Sequence, residues 1–223
     1  MNYVFQFGPV FEAWPLLLRG VWVTIQLSVL SMVFGLIIAV LCAAAKINGN
    51  GLLRFLVNAY IEVIRNTPFI IQLFVFFFVF PSIGVKLNAH TAALLAMTVN
   101  LGAYASEIVR AGIESIPKGQ IEAGRALSLS GVEVFRFIIL KPALRAIYPA
   151  LTSQFIYLML ASSVVSVISA DDLTSVAASL QSLTFRSFEI YIVVTLIYLL
   201  MTLTFSALFS LIYKYALDYP DRK

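Results

Sequence analysis

"GVWVTIQLSVLSMVFGLIIAVLCAAA", residues 20–45, runs for 26 positions without a charged side chain. A bilayer's hydrocarbon core takes roughly 20 apolar helical residues to cross, so this run reads as a transmembrane helix. Further charge-free runs occupy 66–85, 91–106, 146–170 and 190–213. The 91–106 run is short. Glu107 and Arg110, three residues apart and opposite in sign, extend it to about 110 as a pair at its boundary. The whole chain fits this reading: 61% of its 223 residues are hydrophobic and 12% charged, against about a quarter charged in soluble domains. Mean hydropathy is +0.96. The expectation is one all-α integral membrane domain over residues 1–223, with five spans at 20–45, 66–85, 91–110, 146–170 and 190–213.

The basic residues orient these spans. With the N-terminus outside, the outer segments hold only Arg19, Lys86 and Arg186 of the fifteen Lys and Arg residues. The inner segments hold the other twelve: Lys46, Arg54, Arg65, Arg110, Lys118, Arg125, Arg136, Lys141, Arg145, Lys214, Arg222 and Lys223. The positive-inside rule predicts N-out, C-in. The net charge of +4 belongs to flanks facing anionic lipid and calls for no nucleic-acid partner. The first hydrophobic run is too long for a signal peptide's apolar core, so no cleavable leader is expected. Cys42 is the lone cysteine and His90 the lone histidine, which leaves no disulfide framework and no His- or Cys-based metal site.

Between the spans, residues 46–65 begin with an Asn/Gly turn and continue as an amphipathic helix on the cytoplasmic side. "NTP" at 66–68 then opens the second span, and its Phe-rich stretch 69–80 suits lipid or helix packing. The longest inner segment, roughly 107–145, contains "EAGRALSLSG" at 122–131. Pro117 and Gly119 break the preceding helix, and Gly131 is expected to end this one. Ala123, Ala126, Leu127 and Ser130 recur at helical spacing on one face, while Glu122 and Arg125 form an opposite-sign pair. That face lacks the aromatic wedge of a lipid-binding helix, so a protein groove is the expected contact.

This segment resembles the "EAA" loop of ATP-binding-cassette (ABC) importer permeases, whose general form is EAA, three residues, then Gly. Here it reads Glu122-Ala123-Gly124, with Ser128 where the family Gly is usual. The chain as a whole resembles the polar amino acid permease family. The likeness runs through "RNTP" (65–68), "NLGAYASEIVRAGIESIPKGQ" (100–120), "IIL" (138–140), "PALRAIYPAL" (142–151), "SVIS" (166–169) and "RSFEIYIVVTLIYLLMTL" (186–203). It departs at Lys141-Pro142, where the family usually has Pro-Gln, and at 160–164, where a "KDTSL"-like stretch is replaced by Leu-Ala-Ser-Ser-Val.

The resemblance implies a type I ABC importer permease architecture in a bacterial cytoplasmic membrane. A cytoplasmic coupling helix, within a loop at roughly 115–140, would dock in an ABC ATPase dimer through Glu122, Ala123, Gly124, Ala126, Leu127, Ser130 and Gly131. The other implied partners are a second permease subunit, identical or paralogous, and an extracytoplasmic amino acid-binding protein. The chain carries no GxxxxGK[ST] phosphate loop, so ATP would be bound by the partner and no cofactor by this chain.

Intramembrane polar residues are the candidates for a substrate path, because lipid exposure is unfavourable for them. Asn100 and Tyr104 share a face, as do Gln154 and Tyr157. Each amide reads either as path-lining or as a hydrogen-bonding staple between helices. Glu107 is expected to pair with a basic group near the cytoplasmic face. Asp171 and Asp172 open "DDLTSVAASLQSL", a short amphipathic helix on the outer side. Gln154 at a lining position favours an acidic or amide substrate: glutamate, aspartate or glutamine. A secondary transporter or channel is the alternative reading, but it needs an ionisable mid-span site and the span interiors are uncharged.

Overall fold

The computed structural model describes residues 3–217, and its helices begin and end where local chemistry dictates. After a one-turn helix α1 (Gly8–Glu12), Pro15 opens the 35-residue α2 (Trp14–Asn48). Asn50 caps α3 (Gly51–Arg65) by accepting the Leu53 N–H at 2.9 Å. Pro68 cannot continue that helix, and α4 (Phe69–Ser82) leaves it at 109°. Asn88 caps the 26-residue α5 (Ala89–Glu114), and Pro117 starts the short α6 (Lys118–Ala126). The 38-residue α7 (Gly131–Ile168) follows, then α8 (Leu173–Thr184), capped by Asp172, and the 31-residue α9 (Ser187–Leu217).

Helices α2, α5, α7 and α9 are each long and apolar enough to cross a bilayer, and α3 with α4 forms a bent pair that adds a broken fifth crossing. The charge-free runs 20–45, 91–106, 146–170 and 190–213 lie inside these four long helices except for the last two residues of 146–170. Residues 66–85 do not form one straight span: α4 covers 69–82, with the amphipathic α3 set across its start. Two stretches widen into π-helix, Val75–Val79 in α4 and Val134–Ile139 in α7. Each ends two or three residues before a proline, Pro81 and Pro142, whose ring displaces the carbonyl four residues back, inside the widened stretch. Helix α7 also begins well before the charge-free run, because the basic segment carrying Arg136, Lys141 and Arg145 is helical too.

The core is built on α5, whose face of Ala92, Ala93, Ala96, Met97, Leu101, Ala103 and Ala105 is completely buried. Small side chains let α2 approach closely, which matters in a bilayer, where lipid tails solvate apolar helices as well as a neighbouring helix does. At the far end from α6, α8 rests on α2 so closely that a Cβ on Gly20 would lie 2.8 Å from Leu173 Cα. Helix α9 is peripheral. The chain's first residues tie its start down: the fully buried Glu189 carboxylate accepts the Tyr3 hydroxyl at 2.5 Å and the Gln6 N–H at 2.8 Å. Toward its other end, Tyr148 of α7 donates to the Phe209 carbonyl at 2.8 Å.

Candidate functional site: a braced surface helix and an adjoining polar cavity

Helix α6 has two unlike faces. Gly124 is buried and Ile121 half-buried against the first turns of α7, while Glu122, Ala123, Arg125, Ala126 and Leu127 are exposed. A Cβ on Gly124 would sit 2.2 Å from Ile138 Cδ1, so the glycine in place of the motif's second alanine makes room for that isoleucine. Leu127 is 76% exposed, and among the described residues nothing covers the surface formed by Ala123, Ala126 and Leu127.

The expectation that this helix runs on through Ser130 to a stop at Gly131 is corrected. It ends at Ala126, where the Leu129 N–H reaches the Gly124 carbonyl at 3.2 Å and the Ser128 N–H the Arg125 carbonyl at 2.9 Å. That double bond pattern is a Schellman close, which places Ser128 in the left-handed region at φ 60°. Glycine enters this conformation freely, whereas a side chain costs roughly 1–2 kcal/mol there. The motif's usual glycine at this position thus has a mechanical reason, and this chain keeps the turn without it. Ser130 and Gly131 belong to the next helix. Ser130 and Glu133 form a reciprocal capping box at the start of α7, with the Ser130 N–H donating to Glu133 Oε2 at 2.8 Å. Two tight caps separated by one residue, Leu129, therefore hold α6 at a fixed angle to α7.

Beside the inner end of α5 lies a cavity of about 550 Å³, walled by Arg65, Tyr104, Glu107, Ser115 and Gln154 among apolar residues of α5 and α7. The Arg65 guanidinium sits 5.6 Å from the Tyr104 ring centroid, and the Tyr104 hydroxyl donates to the Arg65 carbonyl at 3.4 Å. Glu107 is held on both sides, by Lys46 at 2.6 Å across the α2–α5 contact and by Arg110 at 2.8 Å. Its charge is therefore compensated within the chain. Gln154 differs, because its buried Nε2 has no hydrogen-bond partner among the described residues. A buried amide nitrogen left unpaired costs about 1–3 kcal/mol.

Of the four path candidates, the structure brings Tyr104 and Gln154 together at this cavity and separates the other two. Asn100 is only 6% exposed and lies away from it. Its Nδ2 donates to Gln72 Oε1 at 3.0 Å, and Gln72 Nε2 in turn donates to the Ile64 carbonyl at 2.8 Å and to Thr67 Oγ1 at 3.0 Å. Asn100 thus staples α5 to the α3–α4 elbow. Tyr157 is 63% exposed on the outer side of α7 and does not wall the cavity. Sequence reasoning missed Arg65 as a wall residue and Gln72 as a staple. The signal for both was the helix break at Pro68, which forces neighbouring polar groups to satisfy freed backbone carbonyls.

The comparisons with known proteins agree with one another. The profile of the binding-protein-dependent transport system inner membrane component family matches residues 14–216. The glutamine transport system permease protein GlnP of Escherichia coli (strain K12) is 36% identical over 91% of this chain and 93% of its own length. The L-cystine transport system permease protein TcyB of Bacillus subtilis (strain 168) is 40% identical over 69% of this chain and 65% of its own length. Among solved structures, an amino acid ABC transporter crystallised with histidines matches 95% of this chain and 99% of the compared chain, at a TM-score of 0.88 and 36% identity.

Proposed function

The chain belongs to the family of binding-protein-dependent transport system inner membrane components, and from that premise we propose that it passes a polar amino acid across the cytoplasmic membrane, driven by a partner ATPase that docks on α6. The chain is a permease subunit, a transport component and not an enzyme. The observation that carries the coupling is the uncovered Ala123–Ala126–Leu127 surface on a helix capped rigidly to α7. A load applied to that surface passes through the Gly124–Ile138 contact into a spanning helix and so can be converted into its tilt. An external binding protein and a second permease subunit complete the proposed importer.

For the substrate, the unpartnered Gln154 Nε2 supports a side chain that ends in an acceptor, which means an amide or a carboxylate. Arg65 in the same wall supports a negative group, and glutamine is the cargo in the name of the GlnP relative. Glutamine, glutamate and aspartate are the proposed class.

Uptake per assembled complex, measured beside thermal stability on one preparation, tests this. Gln154→Ala is expected to slow glutamine uptake about tenfold, the equivalent of one lost hydrogen bond of ~1.4 kcal/mol, with stability unchanged. Gln154→Glu should lower glutamate uptake more than glutamine uptake, because a carboxylate there repels a like charge. Asn100→Ala should do the reverse of Gln154→Ala, lowering stability and leaving uptake per complex intact. Undiminished uptake in both Gln154 variants would remove the cavity from the path.

A further inference from the structure

The far end of the bundle holds a second buried polar arrangement that the coupling account does not use. Helix α7 tightens into a 3-10 helix over Ser162–Ile168, seven residues where such runs rarely exceed three or four. The two residues Ser169 and Asp171 then lie in the left-handed region, both at φ 56°, and neither is glycine. Immediately afterwards comes Asp172, whose carboxylate is fully buried. It accepts the Ser175 N–H at 3.0 Å and the Thr174 N–H at 3.1 Å, and the Tyr198 hydroxyl of α9 lies 3.5 Å away. The Thr174 and Tyr198 hydroxyls share a hydrogen bond at 2.9 Å, and the Leu173 N–H donates to Thr24 Oγ1 of α2 at 3.1 Å. Asp172 and Leu173 together therefore mark where α2, α8 and α9 meet, at the end of a strained connection.

We propose that residues 162–172 are a hinge and that Asp172 is its pin, a positioning residue that holds α8 on α2 in the state seen here and releases it when the end of the bundle remote from α6 opens. The proposal rests on the permease reading only for which passage the hinge opens; the movement itself is a property of the chain. A buried carboxylate surrounded by hydroxyls and backbone N–H groups is held there at an electrostatic cost. The groups that act on it are Thr174 and Ser175 from α8 and Tyr198 from α9, while Thr24 of α2 accepts the N–H of the next residue, Leu173; among the described residues no charged side chain acts on it. Loss of water pushes its carboxyl up from 3.8 to about 6, against the lowering effect of the two N–H bonds. The pinned state thus binds the proton more tightly than a released state with Asp172 in water. Pinning is strongest below the released value, weakens as pH rises from about 4 to about 6, and changes no further above that.

The test is a distance measurement on the complex purified with the full-length chain and placed in lipid nanodiscs. Spin labels are attached at the exposed positions Leu18 of α2 and Ser182 of α8, with Cys42→Ser to remove the chain's own thiol. The expected result is two distance populations whose pinned-to-released ratio falls about tenfold between pH 5.0 and pH 7.5. Asp172→Asn, which cannot ionise, should give one ratio at both values, while Tyr198→Phe should keep the pH dependence. An unchanging ratio in the parent chain overturns the proposal, as does an undiminished tenfold change in Asp172→Asn. Should the asparagine variant not assemble, the parent chain and Tyr198→Phe decide. The readout does not involve cargo, so it stands or falls separately from the Gln154 uptake assay.

Discussion

Phenylalanine in place of Ala126 is expected to cut ATP-driven uptake by ten- to a hundredfold while the chain still folds and reaches the membrane. Ala126 is the last residue of α6 and is exposed, and the helix is anchored through Gly124 and Ile121 on its opposite side. A larger side chain there points away from the described residues that anchor α6, so the cost to folding stays within about 0.5 kcal/mol. In the proposed ATPase groove, an added ring would be overpacked by typically 1–3 kcal/mol and sometimes more. The loss should appear as uptake without matching loss of ATP hydrolysis, or as ATPase missing from the purified complex. A control at the neighbouring exposed Arg125, changed to Lys, should retain most activity. Normal uptake and normal transport-linked hydrolysis in Ala126→Phe would show that this face contacts nothing.

The second large effect lies at the other end of the molecule. Gly20→Val is expected to destabilise the fold by about 3 kcal/mol, because even the first carbon of a side chain has nowhere to go. That Cβ would lie 2.8 Å from Leu173 Cα and 3.2 Å from its nitrogen, and backbone atoms cannot rotate away as a side-chain tip can. Helix α8 would have to lift from α2 and break the Leu173 N–H bond to Thr24. Thermal unfolding of the detergent-solubilised complex measures this, and Gly20→Ala should fall between the valine variant and the parent. Equal melting of the valine variant and the parent would contradict the close approach.

Much of this organisation is legible in the sequence, and the reasons are local. Gaps between charges reveal the spanning helices because the bilayer imposes one length on all of them. The Asp172 position announces α8, since a cap needs only its own helix, whereas the Ser130–Glu133 cap of α7 is hidden because Ser130 also fits the helical spacing of the segment before it. The limits of α6 are harder to read, because its close depends on Ser128 adopting a conformation that sequence rules reserve for glycine. Distance in the chain hides the rest. Nothing near Asn100 indicates that its partner is Gln72, 28 positions earlier, and the 109° elbow brings the two together. Gln154 and Tyr157 are three residues apart on one helix, yet Gln154 walls the cavity while Tyr157 is exposed on the outer side of α7.

A single measurement tests the coupling account most directly. A photo-activated cross-linker is placed at position 123 on the exposed face of α6, and intact cells carrying the full complex are irradiated. One dominant covalent adduct is expected between this chain and a cytoplasmic subunit bearing a GxxxxGK[ST] phosphate loop, lost when Ala126→Phe is combined with it. An adduct formed only with lipid, or with a protein on the outer side of the membrane, contradicts it.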